Sequence, residues 1–339
     1  MKNKTLQHFW RMALILILVS ISLGQDAPIK RVCATADRYS AELKKDQVFR
    51  NARLKLFAFT NAYKQMRSAS RFAVRTGIIT IPVVVHVLYN AEADNISDQQ
   101  IASQIDVLNK DYQLQNPDLS NVPQPFKQFV GNPRIGFKLA ALDPEGHTTS
   151  GVTRTKTTVA AFDYKGENAD NIKFAAKGGH DAWPADKYLN LWVGRLRPPV
   201  LGYASFPGEP AQVDGVVITT FAFGTSGTAK DPFNKGRTAT HEIGHWLNLF
   251  HIWGDDDGAC TGSDQVDDTP NQADANSSKP HFPTISCNNG PNGDMFMNYM
   301  DYVDDDSMFM FTKGQVLRME ATLNGPRSAI SESSTAGPK

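Results

Sequence analysis

Three cysteines in 339 residues cannot form a disulfide scaffold, so an ordinary hydrophobic core must hold this chain together. No apolar run reaches the roughly twenty residues a membrane-spanning helix needs. Internal repeats and low-complexity blocks are missing too, which excludes solenoid and fibrous architectures. Nor does one sign of charge predominate, because 35 Lys and Arg face 35 Asp and Glu. What remains, 41% hydrophobic and 21% charged residues, is globular material enough for one large domain or two modest ones.

The balanced charge hides an uneven distribution. Residues 1–80 carry 15 basic and 4 acidic residues, which leaves 20 basic and 31 acidic residues for 81–339. A basic leader thus precedes an acidic body. The leader has no glycine-rich or interleaved aromatic pattern of the kind that holds single-stranded nucleic acid, so no nucleic-acid partner is expected. A removable segment complementary to the acidic body is the better reading. Lys2, Lys4 and Arg11 precede the apolar run 12–23, and the sequence around Gly24 is small; residues 1–24 read as a secretory signal peptide. The mature protein is then expected outside the cell, with no membrane anchor. In that oxidising setting Cys260 and Cys287, close together in a polar stretch, are expected to pair, with a gain of about 3 kcal/mol for a loop of that size. Cys33 is left alone in the leader.

Residues 30–69 are polar and helical, with Leu43, Val48, Leu54 and Phe57 as spaced apolar positions. After Thr76-Gly77 the run IITIPVVVHVLY (78–89) reads as a buried strand that opens the second part of the chain. A helix is expected over 97–112 from the Ser97 start and from Ile101, Ile105 and Leu108 on one face. Strands follow at 135–142, 188–195 and 215–223, a helix at 236–249, a long Asp/Gly/Asn-rich stretch, and a last helix at 312–323. That order indicates an α+β fold. The strand 215–223, just before the helix, is the candidate edge for an extended ligand.

Residues 241–251 read HEIGHWLNLFH. On a helix His241 and His245 lie one turn apart on one face and can reach one zinc ion, while Glu242 beside them is placed as general base. Six residues beyond His245 a continuing helix has rotated by about 240°, so His251 can join only if the helix breaks between them. Asn248 stands where the break is needed, and Asn readily takes the left-handed conformation. Three protein ligands leave an open position, which marks a catalytic rather than a structural zinc. Chance would give this four-residue pattern in about one chain in ten thousand. His86, in an apolar strand, reads as a core residue.

The segments HEIGHWLNLFHIWGD, Asp268-Thr269-Pro270, Ser286-Cys287 and PNGDMFMNYMDY (291–302) resemble the pappalysin family of metzincin zinc proteases, bacterial and archaeal members included. The likeness spans roughly 78–325. The resemblance implies a mixed twisted sheet, an active-site helix, and an irregular C-terminal subdomain with a methionine turn. By position Met300 is the methionine under the metal, and Tyr302 is the tyrosine that steadies the reacting carbonyl. It implies calcium near the site, with Asp267, Asp268 and Thr269 the preferred ligands among the acidic residues 255–269. Arg31-Val32-Cys33-Ala34-Thr35 resembles the family's cysteine switch, which makes Cys33 the residue that blocks the metal in a precursor. Ser307 stands where relatives often have a cysteine, so one disulfide is expected. The resemblance implies that the segment after the methionine turn walls the pocket for the side chain following the scissile bond. There Asp306, then Asp305, are the candidates for selecting Arg or Lys, and Ser70-Arg71 and Val74-Arg75 become candidate self-processing points.

The expected organisation is a signal peptide (1–24), a pro-segment (25–77), a metzincin-like catalytic domain (78–327) and a polar tail (328–339). The expected function is that of a secreted zinc endopeptidase made as a zymogen and acting on protein or peptide substrates. The rivals are a secreted zinc-binding recognition module without activity, and a metal hydrolase with a non-peptide substrate.

Overall fold

A computed structural model describes residues 30–68 and 77–333. The signal peptide expected at 1–24 and the processing points expected at Arg71 and Arg75 lie outside the described residues.

Strand β1 (Ile79–Tyr89) runs through the middle of the molecule. Ile81, Val83, Val85 and Val87 enter the main core on one face; Val84 and Leu88 pack on the other, against Tyr188 and Trp192 respectively. Burial on both faces is why its sequence is continuously apolar rather than alternating. Beyond a short β2 (Val130–Gly131), strands β3 (Ile135–Leu139) and β4 (Val152–Lys156) pair with β1 in parallel, one after the other along its length. On its other side lies β5 (Leu189–Gly194), also parallel. The chain then forms β6 (Gly202–Ala204) and β7 (Val216–Thr219); β7 joins β5 in parallel, and β6 closes the sheet antiparallel to β7. The edge expected at 215–223 is therefore corrected: β7 is interior, and the three-residue β6 is the last strand on that side of the sheet. His86, in β1, is buried and hydrogen-bonded at both ring nitrogens, to Thr153 and Asn190.

Ahead of the sheet come the leader helices α1 (Thr35–Lys45) and α2 (Gln47–Ser68). The apolar positions singled out in α2 do not form its packed face: Val48 and Leu54 are 78% and 68% exposed, while Phe49, Arg53, Leu56 and Thr60 are buried. Those four recur at helical spacing, but two are polar, so a reading of apolar residues alone missed the face. Helix α3 (Asp98–Tyr112) is capped by Ser97, whose side chain accepts from Gln100 N, and buries Ile101 and Leu108. Helix α4 (Arg237–Trp246) packs against α3, β6 and β7.

The chain from 247 to 310 is largely irregular, fastened by the Cys260–Cys287 disulfide and by the paired β8 (Ser277–Ser278) and β9 (Tyr302–Val303). Next, β10 (Phe311–Thr312) pairs with β2, and a Thr312/Gln315 capping box starts α5 (Lys313–Leu323). Folded structure runs past the boundary expected at 327: α6 (Ser328–Ser333) buries Ile330, and Arg327 pairs with Asp214 at 2.6 Å. The architecture is α+β with a mixed sheet. Among the described residues no helix is long and apolar enough to cross a membrane.

Candidate active site

Helix α4 is fixed from both ends. Arg237 pairs with Asp111 of α3 at 3.0 Å, and Thr240 Oγ1 donates to Asp111 Oδ2 at 2.7 Å. At the far end Asn248 takes a φ of +74°, and Leu249 N closes back onto Gly244 O. That break lets the chain reverse, and His251 returns to the side of the helix that carries His241 and His245.

The three imidazoles converge. His245 Nε2 lies 3.1 Å from the Nε2 atoms of both His241 and His251. Each opposite nitrogen is engaged: Nδ1 of His241 with Tyr299 O, of His245 with Leu249 O, and of His251 with Asp255 Oδ1, all at 2.7–2.8 Å. The two carbonyls can only accept, so they place the proton of His241 and His245 on Nδ1 and turn the Nε2 lone pairs inward. Burial and mutual repulsion hold His241 and His245 far below the usual imidazole range, hence neutral. Lone pairs facing one another at 3.1 Å repel unless a cation lies between them, and nitrogens about 2.0–2.1 Å from a tetrahedral zinc sit about 3.3–3.4 Å apart. The donor set therefore fits zinc in chemistry and in spacing. Trp253 stacks on His251, with ring centroids 4.3 Å apart.

Met300 is buried under α4. A side chain at Gly244 would bring its Cβ to 2.4 Å from Met300 Sδ, so the glycine in HEIGH is where the helix and Met300 touch. Tyr302 lies with its ring against His251 and Trp253. Gly202, in β6, leaves room for Glu242, whose Cγ would be 3.0 Å from a Cβ there.

The leader crosses this site along β6. Leu201 N donates to Val32 O and Ala34 N to Gly202 O, so the segment adds itself to the sheet edge. Cys33 Sγ shares one coordination-sized space with His241, His245 and His251. It also lies 3.3 Å from Glu242 Oε2, which accepts a further bond from Thr35 Oγ1 at 3.0 Å. Burial, opposed by those two hydrogen bonds, pushes the Glu242 carboxyl up to about 7. Tyr302 Oη donates to Cys33 O and accepts from Cys33 N.

Two residues before the thiol, Arg31 turns into a closed pocket. Its Nη2 meets Asp305 Oδ1 at 2.5 Å, Nη1 donates to Thr238 Oγ1 at 3.0 Å and Nε to Val303 O at 3.1 Å, while its guanidinium lies over Phe233. Neither partner is open to water, Arg31 being 3% and Asp305 0% exposed. Asp306 turns outward to Lys279 at 2.6 Å. Of the two aspartates expected in the pocket only Asp305 faces it. Thr238, Val303 and Phe233 carried no sequence signal, because nothing in their spacing links them to one another.

The acidic loop divides in the same way. Asp267 is 90% exposed at its side chain and meets Lys64 of the leader, whereas Asp264 is buried and hydrogen-bonded by Thr269 Oγ1. Asp268 accepts from Gly314 N through one oxygen, and its other, buried oxygen has no hydrogen-bond partner among the described residues.

Comparison with known proteins supplies the context. A family model described as pregnancy-associated plasma protein-A matches residues 175–324. An extracellular metalloprotease of Pyricularia oryzae is 36% identical over 259 residues, covering 74% of this chain and 76% of the relative. One from Arthroderma gypseum is 31% identical over 274 residues, 78% and 80% of the two chains. Among solved structures, mature mirolysin of Tannerella forsythia with a cleaved peptide is 49% identical with a TM-score of 0.74, covering 78% of this chain and 100% of that one. A promirolysin mutant from the same organism is 44% identical with a TM-score of 0.79 over 91% and 100%. Similarity of this extent, over a convergent histidine site, places the chain in the pappalysin family of metzincins, and it is a metalloprotease.

Proposed function

We propose that this metalloprotease is secreted as a zymogen and hydrolyses peptide bonds at a zinc site formed by His241, His245 and His251, cutting before Arg or Lys. The convergence of three outward-capped imidazoles beside a buried carboxylate carries this reading. The three imidazoles would hold a zinc ion, which would supply Lewis acidity for the scissile carbonyl and for a water near neutral pH. Glu242, released from Cys33 and Thr35 when the leader departs, takes the proton of the attacking water and hands it to the leaving amine. Tyr302 Oη, released from Cys33 O, donates to the carbonyl oxygen as charge builds on it. The β6 groups that bond Val32 and Ala34 receive the extended substrate. A recognition module without hydrolysis would have no use for a buried carboxylate beside the metal. Casein digestion by the secreted protein, with and without a zinc chelator, tests the reading: digestion that chelation leaves untouched contradicts it.

Latency is assigned to the leader, whose Cys33 thiol shares the space in which the three imidazoles would hold the metal. Other anchors assist it: Arg53 to Asn248 Oδ1 at 2.7 Å and Arg67 to Glu320 at 3.1 Å. The expected result for Cys33→Ala is a precursor that matures about tenfold faster, equivalent to about 1.4 kcal/mol. N-terminal sequencing over a time course reads it; a variant as latent as its parent would leave Arg31 and the helical anchors to explain latency.

Calcium is assigned to the acidic loop on the buried carboxylate of Asp264 and the half-buried one of Asp268, with Thr269 beside them, and Asp267 contributes only if it swings in from solvent. Burial pushes Asp264 up to about 7. A carboxyl raised above its unfolded value costs stability when ionised; the cost is absent below about pH 4 and complete above pH 7. Calcium offsets it, so added calcium should raise Tm by several degrees at pH 8 and by less at pH 5. A Tm indifferent to calcium and to EGTA at both values contradicts the assignment.

A further inference from the structure

We infer that Asp170, with Tyr203 and Glu209 beside it, is a second cation-accepting subsite, reading a Lys or Arg side chain of the substrate two to four residues before the scissile bond. The inference deepens the protease reading of the cleft and rests on it. In the full chain the place is held by Arg38 of α1. Its Nη2 meets Asp170 Oδ2 at 2.6 Å, its Nη1 reaches Tyr164 O at 3.4 Å, and its guanidinium lies 4.4 Å from the Tyr203 ring centroid. A carboxylate with an aromatic face is the ordinary receptor for a guanidinium or an ammonium.

What lies behind the subsite is fixed. Lys173 is wholly buried and donates to Ser205 Oγ at 3.2 Å and Val213 O at 2.6 Å, with Asp170 Oδ1 3.1 Å away. That oxygen is itself buried and lacks a well-directed hydrogen bond. Glu209, held by Phe206 N at 2.8 Å, faces the same group of charges. Against burial, which raises it, Lys173 and Arg38 together hold Asp170 down to about 2. Lys173 and Arg38 both face Asp170 while the leader is in place, and burial pushes the neighbouring Glu209 carboxyl up to about 7. Departure of the leader leaves Asp170 and Glu209 facing Lys173 alone and uncovers the Tyr203 ring. Lys165, at the rim, turns its ammonium onto Tyr164, 5.5 Å from the ring centroid. A cation from outside takes up the contact that Arg38 leaves.

The leader also gives the position. Arg31 fills the pocket for the side chain after the bond, Cys33 sits at the histidines, and Arg38 therefore marks the side before the bond. It lies one turn into α1, about 5 Å along the helix axis from its start. An extended substrate advances about 3.3 Å per residue, so a side chain two to four residues before the bond reaches Asp170.

The test uses the processed enzyme and paired peptides that share Arg after the scissile bond. They differ only at the second, third or fourth residue before it, where Arg is compared with norleucine. Arg at one of these positions should raise kcat/KM about tenfold, and Asp170→Asn should bring the ratio to within about twofold of one. Glu209→Gln, which leaves the Asp170–Lys173 pair in place, should lower the ratio about two- to threefold, and it serves as the second variant should Asp170→Asn not fold. Wild-type enzyme that treats the paired peptides alike, or a ratio unmoved by both substitutions, overturns the subsite while cleavage before Arg keeps the protease reading intact. If no peptide is cut at all, the failure lies in that reading instead.

Discussion

Asp305→Ala should lower kcat/KM for peptides with Arg after the scissile bond about a hundredfold relative to peptides with an uncharged residue there. In the full chain the leader's Arg31 shows what the pocket accepts: a guanidinium bonded to a carboxylate, a hydroxyl and a carbonyl, all out of water. Removing one partner of a buried charge pair costs about 3–5 kcal/mol, and the lower end of that range is already a factor of about a hundred. Asp305 Oδ2 also accepts from Lys235 N and Arg237 N at the start of α4, so Asp305→Asn is the gentler companion and should show the same direction with less. Asp306→Ala should leave the preference as it is, because that carboxylate is engaged by Lys279 on the outside. A peptide library read by mass spectrometry decides it. Cleavage before Arg that persists in both Asp305 variants places the specificity elsewhere.

How much of this was written in the sequence depends on the range of the interaction. The histidine site was legible because its ligands lie within eleven residues and its one irregularity, the break at Asn248, is local backbone chemistry. Helix α3 and strand β1 were legible for the same reason, each carrying its own periodicity or apolar run. Strand β6 was not, since three residues beginning with glycine become a strand only through pairing with β7. The packed face of α2 escaped because Arg53 and Thr60 are half of it, and Arg53 bonds Pro207 and Asn248 far along the chain. The choice between Asp305 and Asp306 is set by a short 3-10 turn, in which neighbours point about 120° apart. No composition rule tells which of two adjacent aspartates faces inward.

The leader shows the same limit. Its charge and its lone cysteine were visible, but not that Arg31, Cys33 and Arg38 reach three separate places in one cleft. Each contact spans more than a hundred residues, beyond the reach of any local pattern.

The proposed division of labour, with metal binding by histidines and proton transfer by Glu242, is tested most directly by one measurement on Glu242→Ala. Its zinc content is taken by atomic absorption alongside its turnover of a peptide with Arg after the bond. None of the three imidazoles hydrogen-bonds Glu242; its partners are Cys33 and Thr35 of the leader, so the substitution should leave about one zinc per chain. Loss of the general base should lower kcat by about three orders of magnitude. Full zinc with turnover at that residual level is the predicted result. Full zinc with turnover near that of the wild type would contradict the mechanism, since the proton would then be moving through some other group.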